Sequence, residues 1–190
     1  MHESRFNHGD RGFSLLETVI ATGLIAGAIT ALAQMFAISV ANNISARSGS
    51  YATVLAGQKM EQLRGLRWGF DALGAPISDT TTDITIVPEA ASGGTGLSPS
   101  PADSLRRNAA GYCDFIDRDA NSVGGGTTPP AATAYIRRWS VQPLPDDPDH
   151  SLVFQVLVTP WRHRGAVDPG AMARLPDEAY MVSVKTRKAS

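Results

Sequence analysis

Cysteine, histidine and, along one stretch, charge and proline are scarce in this chain of 190 residues, and each scarcity removes a class of function. There is one cysteine, Cys113, so an intrachain disulfide is excluded. Nothing near it in sequence would stabilise a thiolate, and it reads as a small buried hydrophobe rather than a redox centre. Four histidines, two of them within the first eight residues, are too few and too scattered for a metal cluster. The formal net charge of -1 provides no global field to recruit nucleic acid or an anionic membrane surface. No Ser-His-Asp or Cys-His constellation is recognisable, and no phosphate-cradling glycine loop precedes a helix. Neither catalysis nor a cofactor is expected. The length fits one domain with an appendage rather than two domains.

The absence of charge is sharpest in residues 13–40, where Glu17 is the single ionisable side chain. This run exceeds the roughly 20 residues needed to span a hydrocarbon core. No proline interrupts residues 13–73, so one long helix is predicted, apolar in its first half. Residues 1–12 are polar, and Arg11 directly precedes Gly12. A secretory signal would place a small-residue cleavage site after the apolar run, near Ala31 or Ala33, but the helical pattern continues past both. A plain signal anchor accounts for the run and not for Glu17. A carboxylate costs about 2.5–3.5 kcal/mol at mid-membrane, and less near an interface, so an acid kept there usually has a partner.

The segment Gly12-Phe13-Ser14-Leu15-Leu16-Glu17-Thr18 resembles the processing signal of type IV prepilins and type II secretion pseudopilins. The resemblance implies cleavage by a prepilin peptidase between Gly12 and Phe13, and N-methylation of Phe13. It further implies that Glu17 pairs with the N-terminal amine of a neighbouring subunit during assembly. Gly23-x-x-x-Gly27 would let neighbouring helices approach closely. Gln58-Lys59-Met60-Glu61-Gln62-Leu63-Arg64 is similar to the same region of V-class minor pilins and of pseudopilin I. The first 67 residues carry most of the likeness.

Beyond the apolar run, Tyr51, Leu55, Leu63 and Leu66 form a stripe of roughly helical spacing. The opposite face is assigned Arg47, Lys59, Glu61, Gln62, Arg64 and Arg67, with Glu61 and Arg64 placed to pair. The predicted organisation is a leader, residues 1–12; a transmembrane and assembly half-helix, 13–41; an amphipathic half-helix, 42–73; and a β-rich domain with long loops, 74–190. Strands are expected at residues 83–87, 134–141, 151–159 and 179–186, with a short apolar patch at 112–116. The middle pair is expected to be antiparallel across the turn-rich residues 143–149. The fold class is thus α+β, a pilin-like long helix on a small antiparallel sheet.

Asp117, Asp119 and Asn121 have the first spacings of a calcium loop. Ser122 stands where the turn glycine belongs and Thr128 where the bidentate glutamate belongs, so a solvated turn is the expectation and no metal is assigned. His163 between Arg162 and Arg164 makes a small basic patch after Trp161, for which an exposed loop is expected and nucleic-acid contact is not.

The function implied by the resemblance is that of a minor type IV pilin, incorporated into a pilus or priming its assembly. Its partners would be the peptidase and other pilins, met through the N-terminal helices. Its location would be the inner membrane, single-pass with the globular domain periplasmic, and then the pilus or pseudopilus. The alternatives are a type II secretion pseudopilin of the I type, and a pilus-associated adhesion or DNA-uptake subunit.

Overall fold

The computed structural model describes residues 13–163, 175 and 177–187; the leader, including Gly12, lies outside them. The chain divides into two compact units, one ending at Ile44 and one beginning at Ser45. A single α-helix, α1 (Leu15–Gly65), contributes to both. Its first unit buries nothing. Every large apolar side chain from Phe13 to Ile44 is more than half exposed. A continuous apolar surface of that kind is far beyond what a soluble monomer leaves uncovered. By length and composition α1 can cross a membrane.

The second unit is an α+β domain. After α1 come β1 (Trp68–Phe70), β2 (Pro76–Ser78), β3 (Cys113–Ile116), β4 (Ser122–Gly125), β5 (Tyr135–Leu144), β6 (Asp147–Pro160) and β7 (Ala179–Thr186). The strands β1 and β2 form a separate antiparallel hairpin. The other five make one antiparallel sheet in the order β4-β3-β5-β6-β7. The strands predicted at 134–141, 151–159 and 179–186 are β5, β6 and β7, and the 112–116 patch holds β3. As expected, β5 and β6 are antiparallel neighbours.

The second half of α1 packs on one face of this sheet. Its buried residues are Ala52, Leu55, Ala56, Lys59, Met60 and Leu63, the i, i+3, i+4, i+7 spacing of one helix face. They meet Trp139 and Val141 of β5 and Leu152, Phe154, Val156 and Val158 of β6 in the main core. Alternation along each strand sends the intervening residues to the other face. There Cys113, Phe115 and Ile136 form a smaller cluster with Val123 and Trp161.

Three expectations are corrected. Lys59 is not on the polar face of the helix: it lies four residues from both Leu55 and Leu63, inside the buried stripe, and is fully buried. Residues 83–87 form no strand; Asp83 makes only an isolated bridge to Ala90. The helix ends at Gly65 rather than near residue 73, because other groups satisfy the backbone from there on. The Arg67 N–H donates to Asp79 Oδ2 at 2.8 Å. Lys185 Nζ donates to the Arg64 and Leu66 carbonyls, capping the helix end from β7. Trp68–Phe70 is then free to pair with Pro76–Ser78.

The long connection between β2 and β3 is held by close backbone approach rather than by regular structure. A Cβ on Gly94 would lie 2.3 Å from Asp83 Cα and 2.4 Å from the Thr82 carbonyl. Gly94→Ala is therefore expected to destabilise the C-terminal unit by about 1–3 kcal/mol, the cost of forced overpacking. Thermal unfolding of the full chain in detergent micelles measures it.

Candidate functional site

Two sites stand out, one at each end of α1. At the first, Ser14 is the helix N-cap. Its hydroxyl accepts the Glu17 N–H at 3.2 Å, and its carbonyl accepts the first intrahelical bond, from Thr18 N–H. Ser14-x-x-Glu17 thus has the spacing of a capping box, a signal legible in the sequence that the reading of the N-terminus passed over. Glu17 itself is exposed on the first turn. Its carboxylate has no ion pair or side-chain hydrogen bond among the described residues. The hydroxyls of Thr18, Thr22 and Thr30 donate back to the carbonyls of Leu15, Thr18 and Ala26, at 2.8, 2.6 and 2.8 Å. The hydroxyls of Thr18, Thr22 and Thr30 are therefore satisfied within the helix, whereas the Glu17 carboxylate is not.

Phe13 is 80% exposed immediately before the cap. Gly23 and Gly27 lie on the helix with no atom within 4 Å of a built Cβ. Nothing described in this chain packs against them, although each glycine costs a helix roughly 1 kcal/mol relative to alanine.

The second site was missed by sequence reasoning. Lys59 from α1, Asp114 from β3 and Arg137 from β5 meet inside the core, none more than 4% exposed at the side chain. Lys59 Nζ lies 2.8 Å from Asp114 Oδ2. Arg137 grips the same carboxylate in a two-point fork, Nε to Oδ1 at 2.9 Å and Nη2 to Oδ2 at 2.8 Å. The remaining donors reach backbone: Arg137 Nη1 to the Leu55 carbonyl at 3.0 Å, and Lys59 Nζ to the Ile84 carbonyl. The lysine also sits 4.3 Å from the centre of the Trp139 ring.

Two cations share one carboxylate, so the cluster holds a surplus positive charge in a dry interior. Burial pushes the Lys59 amine down to about 8 even though Asp114 pulls it up. The signal for this cluster was phase. All three residues occupy inward positions of their own elements, and for Lys59 residue type was given precedence over position.

The calcium-loop candidates lie in the β3–β4 hairpin loop. Asp117 Oδ1 accepts the N–H groups of Asp119 and Asn121 at 2.9 and 2.8 Å, and Asn121 Nδ2 donates to Oδ2 at 3.3 Å. These bonds, that from the Asn121 backbone first, hold the Asp117 carboxyl below its usual range. Its acceptors are turned onto the loop itself, as in an Asx turn. Asp147 similarly accepts from His150 and Ser151 where β6 begins, at 2.9 Å each. Arg162 and His163 both contact the buried Asp177; Arg164 lies outside the described residues. No cluster of three or more His, Cys, Asp or Glu placed to hold a metal occurs among the described residues.

The cluster predicts an ordering of variants. Lys59→Met leaves the neutral Arg137–Asp114 fork and is expected to cost at most about 2 kcal/mol. Asp114→Asn leaves two cations without an anion and is expected to cost about 3–5 kcal/mol. Denaturant unfolding of the full chain in micelles would refute the cluster if the two costs were equal or reversed.

A pH dependence follows as well. Between the folded Lys59 value of about 8 and the ordinary value of 10.5, the unfolded chain binds more protons, so stability rises with pH across that window. The penalty for charged Lys59 is fully present below pH 8. Cys113 acts in the opposite sense. Burial pushes its thiol up to about 12 from 9.0, so its contribution falls as pH rises above 9. Lys185, whose amine burial also lowers, acts in the same sense as Lys59, so the difference between the parent chain and Lys59→Met is what isolates Lys59. From pH 8 to 9 the parent chain is expected to gain up to about 1 kcal/mol relative to Lys59→Met.

Comparison of the chain with protein-family models, with curated proteins and with solved structures finds no match to any of them.

Proposed function

We propose that the chain is a minor type IV pilin, cleaved between Gly12 and Phe13 by a prepilin peptidase and assembled through its N-terminal helix. The observation that carries this reading is the Glu17 carboxylate. It is the one ionisable side chain among the described residues of a helix unit that exposes every large apolar side chain. Such a surface needs a bilayer or other helices around it. In either setting an ionised carboxylate without a counter-charge is costly. Cleavage before Phe13 creates an amine four residues before Glu17. The amine of one copy and the carboxylate of its neighbour, each unfavourable alone in lipid, become tolerable as a pair.

On this reading the subunit waits in the inner membrane with its α+β unit on the periplasmic side, and docking into the fibre relieves the desolvation of both charges. The exposed Gly23 and Gly27 then supply close approach between helices.

N-terminal sequencing of the protein from cells with an active prepilin peptidase is expected to begin at Phe13, carrying one methyl group. An intact Met1 would sink the assignment. The variants Glu17→Ala and Glu17→Gln are expected to be cleaved normally and to be lost from fibres. The glutamine keeps an uncharged side chain of the same size at the same position, so a Glu17→Gln subunit that assembles normally would show that the charge is not what the site uses.

A further inference from the structure

The start of α1 is set by one side chain. Phe13 and Ser14 lie outside the helix, which begins at Leu15. Ser14 fixes that boundary with both of its oxygens. Its hydroxyl accepts the Glu17 N–H and its carbonyl accepts the Thr18 N–H, each at 3.2 Å. The backbone of a cap residue is not helical, and the chain before it stands outside the intrahelical ladder. The neighbours give no other reason for a helix to begin here. Phe13, Leu15 and Leu16 are all apolar and compatible with a helix, so apolar patterning alone would let it start earlier. Among the described residues nothing else holds Phe13, which is 80% exposed.

The position of this boundary matters to the bond before Phe13. Hydrolysis breaks the C–N bond between Gly12 and Phe13, with water supplying a hydroxyl to the Gly12 carbonyl carbon and a proton to the Phe13 nitrogen. The carbonyl carbon must be open to attack. Inside an α-helix a carbonyl is bonded to the N–H four residues on and is flanked by the adjacent turn. For Gly12 that group would be the Leu16 N–H, which a cap at Ser14 leaves out of the ladder. The sequence also holds a residue able to start the helix one turn earlier: Asp10, four positions before Ser14 and a cap of equal quality. A helix capped there would enclose the scissile bond in its first turn. Gly12 opposes that start, and the serine cap decides against it.

We infer that Ser14 is a positioning residue for the cleavage before Phe13, stopping α1 two residues beyond the scissile bond so that the peptidase meets a non-helical chain. The inference rests on the reading of the chain as a prepilin. Ser14 acts through the backbone and touches no reacting atom. Where the first turn opens and closes faster than the bond is cut, the rate of cutting follows the population of the open form.

Full-length chains altered at Ser14 are expressed in cells with an active prepilin peptidase, and conversion of pulse-labelled precursor to the form beginning at Phe13 is followed in time. Ser14→Ala fits any pocket that accepts serine, yet loses the cap and favours helix. It is expected to slow conversion about threefold or more. Ser14→Gly also lacks the hydroxyl, but glycine caps nearly as well as serine, and the parental rate is expected. That contrast separates the cap from a direct contact between the hydroxyl and the peptidase, which alanine and glycine would lose alike. Adding Asp10→Ala to Ser14→Ala removes the competing start and is expected to restore the rate. The inference is overturned if Ser14→Ala converts at the parental rate, if Ser14→Gly is as slow as Ser14→Ala, or if Asp10→Ala restores nothing. A parent chain that is never converted overturns the prepilin reading itself, a result distinct from each of these.

Discussion

The C-terminal unit is organised around a carboxylate that two cations share. Asp114 has no exposure to water and is held by Lys59 from the helix and by the fork of Arg137 from the sheet. Each of the three would be strongly unfavourable alone in the core. Their positions in the chain, 59, 114 and 137, tie three elements that are distant in sequence. Rotating α1 by one residue, about 100°, would carry Lys59 off the sheet and strand Asp114 with a single partner. A one-residue slip of β5 would not be rejected by charge, because Arg138 would replace Arg137. It would be rejected by packing, since Ser140 and Gln142 would replace Trp139 and Val141 against the helix. Apolar alternation sets the register, and the ion cluster fixes which helix face meets it.

The surplus charge is what distinguishes this cluster from an ordinary buried pair. A one-to-one pair can roughly balance desolvation against attraction. Two cations on one anion do so less well: burial first, and then the neighbouring Arg137, lower the Lys59 value against the pull of Asp114 and of the more distant Glu89. Part of the imbalance is offset by groups that carry no formal charge. The Ile84 and Leu55 carbonyls and the face of Trp139 all direct negative density at the cations. This ties residue 84, in the long irregular connection, to the helix, so that Ile84 is itself buried although no strand forms around it.

What the sequence made legible follows from how much of each signal is periodic. The strands β5, β6 and β7 are eight or more residues long and carry β-branched and aromatic residues at alternate positions, and a signal of that length and composition reads as strand. The strands β1, β2 and β4 are three or four residues long and contain glycine or proline. Their existence depends on partners supplied by the fold. The helix stripe was half visible: Leu55 and Leu63 were placed inward correctly, and Lys59, midway between them, was placed outward because lysine is rarely buried. Position was the better guide, since a residue four from each of two buried leucines shares their face whatever its charge. Tyr51, assigned to the stripe, instead lies at its edge and stacks on Tyr135 with ring centres 5.7 Å apart.

Glu17 admits a plainer account than assembly, and magnitudes separate the two. A glutamate three residues after an N-cap serine is common in water-soluble helices, where it completes a capping box and complements the helix dipole. The cap needs only a side-chain acceptor, which glutamine also supplies. The charge adds about 0.3–1 kcal/mol through the dipole at an exposed site. Against this stands a cost of about 2.5–3.5 kcal/mol for a carboxylate at mid-membrane, smaller toward the interface but paired with an apolar surface that must be covered by something. Where Glu17 lies at the edge of the bilayer the two nearly cancel, and the helix dipole alone is a sufficient reason for the residue. Once the helix is surrounded by other helices, water is lost from that edge and the dipole no longer covers the deficit. The counter-charge must then come from a second molecule, and this is the step at which a cap becomes an assembly contact.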